Sequence, residues 1–146
     1  MTVYSFGDSS GAFNHPLAKS YLFAGQIGVG AFVIAMATDH TDHKTAADGA
    51  VMVSAVLGDS GHITIEAQQT SSIHQFLLGW LNLCITAVRN GDVSNFATAT
   101  ISIRNITTGL YHTATGVSPN KMGDVPYRAQ GENVTWVLPC ANIVNG

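Results

Sequence analysis

The chain has 146 residues, of which only 10% are Asp, Glu, Lys or Arg, and its formal net charge at pH 7 is −3. Ordinary soluble domains carry roughly 25% charged residues, so the polar surface here consists mostly of Ser, Thr, Asn, Gln and Gly. The length suits one domain over residues 1–146, and the weakly acidic charge excludes the basic surface that tight nucleic-acid binding requires. So little charge indicates either a membrane protein or a surface that copies of the same chain cover.

The two long uncharged stretches do not have the form of membrane spans. Residues 20–38 are long enough to cross a bilayer, but they contain three glycines and a glutamine and are rich in aromatic and β-branched residues, which is typical of strands. Residues 76–88 have a helical apolar pattern, yet about thirteen residues are too few for a span. We therefore expect no membrane insertion, and we expect the neutral surface to face other copies of the chain.

The first half of the sequence predicts strands separated by turns. Short runs of apolar and β-branched residues between turn residues predict the following strands: residues 3–6, 21–36 (as one strand or two), 51–57 and 62–69. Residues 9–16 are predicted as a loop because of their Ser, Gly, Asn and Pro content. The turn residues at 58–61 predict that the two strands flanking them form a hairpin.

A helix is predicted at residues 72–89. Ser72 and Gln75 have the spacing of a capping box at its start, and apolar residues then recur at helical spacing. Apolar residues also occupy most other sides, so the helix must be covered or must cover something. Arg89 and Gly91 are typical of a helix end.

The C-terminal half predicts three further strands, at residues 97–104, 110–117 and 129–143. The first two carry hydroxyl side chains on one face, and the third carries Val134 and Trp136 among its apolar alternating positions. The fold class that follows is mainly β: an antiparallel β-sandwich or open barrel of about seven strands with one flanking α-helix. Cys84 and Cys140 lie in apolar surroundings and are expected to be buried, reduced thiols.

A polar loop at residues 38–49 stands apart from its neutral flanks. It contains four of the fifteen charged residues and two of the six histidines of the chain. Three interpretations compete: a metal or catalytic site, a solvated loop, or an arm that docks on a neighbouring subunit. Loops of this length in compact domains are often functional, and we favour the arm. Its candidate contact residues are Asp39, His40, Thr41, Asp42, His43, Lys44 and Asp48.

No catalytic residue, metal ligand or cofactor is predicted, so we expect a protein that is not an enzyme. The histidines outside the polar loop are scattered singly, as structural or surface histidines are. Two other classes of function stay open. A carbohydrate-binding β-sandwich would use Trp80, Trp136 and Tyr111 as platforms, although both tryptophans have the spacing of core residues. A metal-dependent hydrolase would use the ligand-type residues Asp39, His40, Asp42 and His43.

The order of these features resembles the small tail tube proteins of contractile-tailed bacteriophages, which are related to the tube protein of type VI secretion. The resemblance covers nearly the whole chain. The motifs that carry it, in chain order, are Tyr4-Ser5-Phe6, Ala35-Met36-Ala37-Thr38-Asp39, Ala47-Asp48-Gly49, Val51-Met52-Val53-Ser54, Gly58-x-x-Gly61 and Gln69-Thr70-Ser71.

This resemblance implies a tail-tube fold whose subunits form hexameric rings that stack into a hollow tube for phage DNA. The inner sheets of the subunits would join edge to edge, and the loop at residues 38–49 would reach a neighbouring subunit or ring. The implied inner sheet comprises residues 25–37, 49–57, 97–104 and 110–117. The implied lumen-facing side chains are Ser54, Thr100, Ser102, Arg104, Thr113 and Thr115. Arg104 is the exception to a neutral wall, and we expect an acidic neighbour to pair with it.

The resemblance also implies partners and a location. The partners are further copies of the chain, together with sheath, baseplate and tail-terminator proteins. The tape-measure protein and DNA would occupy the lumen transiently. The protein would be part of the virion and would be assembled in the cytoplasm of the bacterial host. A component of a type VI-like secretion tube is the related alternative.

Overall fold

The computed structural model describes residues 3–18, 20–24 and 29–146. These residues form a short 3-10 helix (Phe6–Asp8), one α-helix and nine strands. The strands are β1 (Ser9–Asn14), β2 (Tyr21–Ala24), β3 (Val29–Met36), β4 (Thr41–Thr45), β5 (Val51–Ala55), β6 (Gly61–Gln68), β7 (Ala99–Asn105), β8 (Tyr111–Val117) and β9 (Asn133–Asn145), and the α-helix, α1, is Ser72–Arg89.

Seven strands form one antiparallel sheet in the order β2-β1-β7-β8-β9-β6-β3, and β4 and β5 form a separate two-stranded ribbon. The 13-residue strand β9 joins two halves of the sheet, since its first part pairs with β6 and its last part with β8. Its burial alternation is interrupted at Ala141 and Asn142, which are both exposed. Opposite this interruption, Gly116 of β8 has a φ of +64° and meets Ala141. The sheet is curled, and the predicted fold class is confirmed.

One face of the curled sheet packs against α1 to form the core. The helix contributes its buried face, including Ile73, Leu77 and Trp80. The sheet contributes alternate residues of β6, β7 and β9, and Phe13 of β1 meets Trp80 with ring centroids 4.8 Å apart. Trp136 belongs to the same core, as predicted from its alternation.

The predicted bounds of the helix are confirmed, but its start is capped one residue earlier than predicted. The Oγ of Ser71, rather than of Ser72, accepts a hydrogen bond from the backbone N–H of His74 at 3.3 Å. Gly91 follows the last turn with a φ of +87°, which agrees with its predicted role as a cap. No helix in the described part of the chain is long and apolar enough to cross a bilayer.

Two predictions at the N-terminus were wrong. Residues 3–5 are irregular and are followed by the 3-10 helix, so the strand predicted at residues 3–6 is not formed. The predicted loop at residues 9–16 contains β1 instead. This strand pairs with β2 on one side and β7 on the other, and it buries Gly11 and Phe13. Pairing on both edges outweighs the turn-forming composition, because the backbone groups of the strand find partners in two neighbouring strands.

The hairpin predicted between residues 51–57 and 62–69 was also wrong. Strand β5 pairs with β4, whereas β6 pairs with β3 and β9. The predicted stretch 21–36 is divided into β2 and β3, with residues 25–28 outside the described ranges. These two strands are the edges of the sheet, and five peptide steps between Ala24 and Val29 keep their facing ends within about 18 Å. The sheet is therefore an open barrel.

Both cysteines are buried and free, as predicted. Burial raises the pKa of the Cys140 thiol to about 11, against a smaller opposing effect of a backbone hydrogen bond with Ile63. Burial also raises the pKa of the Cys84 thiol. Both thiols are therefore protonated and unreactive at neutral pH.

Candidate assembly surfaces

Residues 38–57, here called the arm, form the outer half of one long hairpin. Its inner half consists of β3 and β6, which pair as far as Met36 and Gly61. Pairing continues through backbone hydrogen bonds from Ala37 N to Ser60 O and from Val56 N to His40 O, both 2.9 Å long. Strands β4 and β5 then pair to the tip. The segment predicted as a polar loop at residues 38–49 is thus partly a strand, because its partner is the stretch that follows it.

The two faces of the arm differ in chemistry. Alternate side chains of paired strands share a face, so Asp42, Lys44, Met52 and Ser54 form one face, here called the charged face. The opposite, neutral face consists of Thr41, His43, Thr45, Val51, Val53 and Ala55. Except for the half-buried Ser54, every residue of β4 and β5 is exposed.

Exposed apolar side chains distinguish the arm from an ordinary solvated loop. Val51, Met52 and Val53 are 55%, 62% and 60% exposed, and Leu57 at the base of the arm is 95% exposed. A two-stranded hairpin by itself is marginally stable in water, and adjoining exposed apolar residues mark interaction surfaces. The arm therefore has the character of a surface that another molecule covers.

The residues predicted in the loop occupy separate positions on the arm. Asp39 precedes β4, whereas Asp48 lies at the tip and its Oδ1 accepts a hydrogen bond from Ala50 N at 3.0 Å. The Nδ1 of His40 donates to Val56 O at 3.0 Å, and its Nε2 lies 3.8 Å from Asp59 Oδ1.

The ligand-type residues of the arm do not converge on one point. Asp42 and His43 are consecutive in β4 and point to opposite faces, while His40 is turned toward the base of the arm. Within residues 3–18, 20–24 and 29–146, no group of three or more His, Cys, Asp or Glu side chains is arranged to hold a metal ion. The geometry gives no support to a site built from Asp39, His40, Asp42 and His43.

A second surface is the solvent side of β1, β7 and β8, here called the hydroxyl face. Cross-strand pairing places Ser102 beside Thr113 on this side, between Ala12 and Val144. The members that were predicted as lumen-facing are Thr100, Ser102, Arg104, Thr113 and Thr115. The sixth predicted residue, Ser54, lies on the charged face of the arm, apart from the other five. Five of the six residues therefore share one face of two adjacent strands.

Arg104 is the exception on the hydroxyl face. It is exposed, and cross-strand pairing places it between Ser10 and Tyr111. The expected acidic partner is not found, since no carboxylate of the described residues forms an ion pair with Arg104.

The inner sheet implied by the resemblance is not present as one sheet in the isolated chain. Strands β7 and β8 are adjacent, but β3 lies at the far edge beyond β9 and β6, and β5 belongs to the arm. The implied order fails because β6 and β9 take the hydrogen-bonding positions between β3 and β8.

A groove at the opposite end of the sheet from the arm was missed by sequence reasoning. It has a volume of about 540 Å³ and is lined by Lys121, Met122, Gly123, Asp124, Val125, Pro126, Arg128, Glu132, Asn133 and Thr135. Its outer wall has neither helix nor strand, and the side-chain amide of Gln69 donates a hydrogen bond to Pro126 O. A Cβ on Gly123 would collide with Thr135 O, so glycine is needed for this close approach. In the sequence this region had only the composition of a loop.

One sequence pattern of a catalytic type lies in a strand. Gly7, Ser9 and Gly11 spell Gly-x-Ser-x-Gly, the nucleophile elbow in which a serine projects from a strand-to-helix turn. Here Ser9 begins β1 and is 7% exposed, and its Oγ accepts a hydrogen bond from Asn105 Nδ2 at 2.9 Å. The serine lies in a strand rather than on the exposed turn that the elbow requires.

The side chains proposed as carbohydrate platforms are mostly inaccessible. Trp80 and Trp136 are each 1% exposed, and Tyr111 is 49% exposed. The Nε1–H of Trp136 donates to His74 Nδ1 at 3.0 Å, which fixes the ring inside the core. A stacked sugar ring needs an exposed aromatic face, which neither tryptophan offers.

The comparisons with known proteins give a family for the sequence and similar structures for the fold. The model of the family described as "Bacteriophage PhiTE tail tube protein" matches residues 1–145. No curated protein sequence matches the chain. A chain of the anti-feeding prophage (AFP) baseplate is similar in structure, with a TM-score of 0.65 and 11% identity over 100% of this chain and 97% of that chain.

Two further solved structures resemble the fold. For the AFP tube-terminating cap the TM-score is 0.57, with 8% identity over 100% of this chain and 91% of that chain. For a chain of the sheath–tube complex of the extracellular contractile injection system PVC in its extended state, the TM-score is 0.52, with 9% identity over 93% of this chain and 87% of that chain. At such identities these likenesses establish the fold alone.

Proposed function

We propose, starting from the fact that this chain belongs to the family of bacteriophage PhiTE tail tube proteins, that it self-assembles into stacked hexameric rings forming the hollow tube of a phage tail. Membership of the family makes the chain a structural component of a tail tube. The proposal adds the ring, the stacking of rings and the passage of DNA through the lumen. A structural role of this kind requires no catalytic residue.

The exposed arm is the observation that carries the proposal. Among the described strands, β5 (Val51–Ala55) pairs with β4 alone, and it leaves apolar side chains in water on both faces of the ribbon. Covering these side chains with a second copy would remove apolar surface from water at about 25 cal/mol per Å². The arm residues Asp39, His40, Thr41, Asp42, His43, Lys44 and Asp48 would then lie at or beside a contact between subunits.

The hydroxyl face is proposed as the wall of the lumen. Its side chains can hydrogen-bond water without attracting phosphates, and fewer cations mean fewer contacts that hold DNA back. Arg104 is the one cation among the five residues proposed for this wall, and repetition around a ring would multiply its charge. Strands β2 and β3 lie at the two ends of the strand order among the described residues, and joining the sheets of neighbouring subunits edge to edge would close them into one barrel.

The proposed partners follow from the assembly. Sheath, baseplate and tail-terminator proteins would contact the tube from outside or at its ends, and the tape-measure protein and DNA would occupy the lumen. The assembled protein would be part of the virion, after assembly in the host cytoplasm.

Electron microscopy of the purified protein tests the proposal. We expect rings or hollow fibres in negative stain, and scattering that grows with protein concentration, because head-to-tail contacts propagate. A monodisperse monomer at high concentration in light scattering would contradict the proposal.

A further inference from the structure

We propose that the groove at the far end of the sheet receives the charged face of the arm of a second copy of this chain. This inference rests on the proposed assembly and goes beyond it by naming the receiving surface. The occupant is the ribbon formed by β4 and β5. The receiving residues are Lys121, Met122 and Asp124, together with Asn133 on the floor.

The topology places the arm and the groove at opposite ends of one strand. The arm leaves the sheet beside Gly61, the first residue of β6. Gln68, the last residue of β6, pairs with Asn133, which lines the groove. Seven steps along a strand separate these ends by about 23 Å. An arm therefore cannot fill the groove of its own subunit, and a contact between unlike ends of identical chains propagates in one direction.

The chemistry of the two surfaces is complementary. The charged face of the arm carries Asp42, Lys44 and the exposed Met52. The groove carries Lys121, Asp124 and the exposed Met122.

Each surface has an unpaired charge of each sign. Among the described residues, none of these four charged side chains forms an ion pair in its own subunit. Arg128, at the rim of the groove, is already paired with Glu132 at 2.8 Å. Docking would match one acid and one base on each side, and opposite charges across an interface fix its register.

The size of the groove fits a ribbon and its rim offers an aromatic anchor. A volume of about 540 Å³ accommodates several side chains, and a second cavity of about 270 Å³ continues it past Gln69 and Gly131. Tyr127, which lies in the chain between the lining residues Pro126 and Arg128, is 93% exposed. Exposed tyrosines of this kind are enriched among the residues that dominate interfaces.

Disulfide trapping tests the proposal with two cysteines in one chain. In the double variant Met52→Cys, Met122→Cys, one new thiol lies in the arm and the other in the groove, beyond opposite ends of β6, so they cannot join within a subunit. Oxidation of the assembled variant should give a ladder of covalently linked copies on a non-reducing gel. The matched control is Met52→Cys, Thr86→Cys, whose second thiol lies on the exposed side of α1. This control should give at most linked pairs of chains and no ladder of longer products. The native cysteines are 1% and 5% exposed and take no part.

A charge exchange provides an independent test. Lys121→Glu should reduce the ladder of the double-cysteine variant about tenfold, and adding Asp42→Lys should restore it, because the swapped charges attract again. Tubes in the micrograph without a ladder above that of the control would overturn this inference and leave the proposed function standing. Absence of any assembly would overturn both.

Discussion

His74 lies in the first turn of α1 with 7% of its surface exposed, and its Nδ1 accepts the hydrogen bond of Trp136 Nε1–H. An acceptor at Nδ1 requires the neutral ring, and burial lowers the pKa of His74 from its ordinary value. His15, which is 2% exposed, is also held by hydrogen bonds at both ring nitrogens. Its Nδ1 accepts from Leu17 N at 3.1 Å, and its Nε2 donates to Asn95 O at 2.7 Å. Two histidines that carried no recognisable motif are thus buried and held by hydrogen bonds at their ring nitrogens.

Lowering the pH should therefore reduce the free energy of unfolding of the subunit through protonation of His74. The unfolded chain binds a proton at this residue near pH 6.5, whereas the folded chain resists it, so the free energy of unfolding falls as pH drops from about 6.5 toward the lowered folded pKa. Above about pH 6.5 the ring is neutral in the folded and the unfolded chain, so we expect the stabilising effect of His74 to be fully present there. Replacing His74 by Gln should destabilise the protein at pH 7 by about 1–3 kcal/mol and should make its stability fall less between pH 7 and 5.

Urea unfolding at pH 7 and pH 5, followed by tryptophan fluorescence, measures this effect. His43→Gln is the matched control, because His43 lies on the exposed neutral face of the arm and its loss should leave the pH dependence unchanged. If the free energy of unfolding falls by the same amount between pH 7 and pH 5 in the native protein and in His74→Gln, the buried ring does not couple folding to pH.

Among the elements, the arm and α1 show the two ways in which an apolar segment is accommodated. The helix buries one face against the sheet, with Leu77, Trp80 and Cys84 each 1% exposed. The arm buries almost nothing of β4 and β5. Its contribution to the stability of the isolated subunit should accordingly be small.

Replacing residues 42–54 by Asn-Gly tests this difference. Thr41 and Ala55 are cross-strand partners, and Asn-Gly closes such a pair with a two-residue turn. We expect the free energy of unfolding of the subunit to change by no more than about 0.5 kcal/mol, while rings and fibres disappear from micrographs. Loss of the folded state would show that the arm supports its own subunit, and unaltered tubes would show that it is not the contact.

On the scale of the whole molecule, the hydroxyl face and the exposed side of α1 lie on opposite sides of the core. Ser102 belongs to the first surface and Thr86 to the second, and both are exposed in the subunit. Assembly with the hydroxyl face inward would enclose Ser102 in the lumen and leave Thr86 outside. The two positions should then differ in accessibility only after assembly.

Maleimide labelling of Ser102→Cys and Thr86→Cys measures that difference. In dissociated subunits both variants should react with a small maleimide and with a maleimide carried on a large polymer. In long tubes the Ser102→Cys variant should still react with the small maleimide but should lose most of its reaction with the polymer-linked one, because a narrow lumen excludes the polymer. Retention of the large label at Ser102→Cys would place this face outside the tube.

The sequence by itself determined the features that depend on neighbouring residues in the chain. The helix at residues 72–89, the alternation around Trp136 and the strands predicted at residues 97–104 and 110–117 all follow from local periodicity, and the structure confirms them. The scarcity of charge likewise pointed to a self-covering surface before any fold was known. The alternating hydroxyls of residues 100–104 and 111–115 also placed five candidate lumen residues on one face.

Only the tertiary structure decided which strands pair and what their pairing exposes. Backbone hydrogen bonds form equally well with any neighbouring strand. The local sequence of β6 therefore does not specify that it pairs with β3 and β9 rather than with β5. Because β5 pairs with β4, the predicted loop is part of an arm with two faces. Because β6 pairs with β9, the groove lies beside Asn133 at the other end of β6. Composition indicated that copies of the chain cover one another, whereas long-range pairing set the positions of the arm and the groove through which we propose they do so.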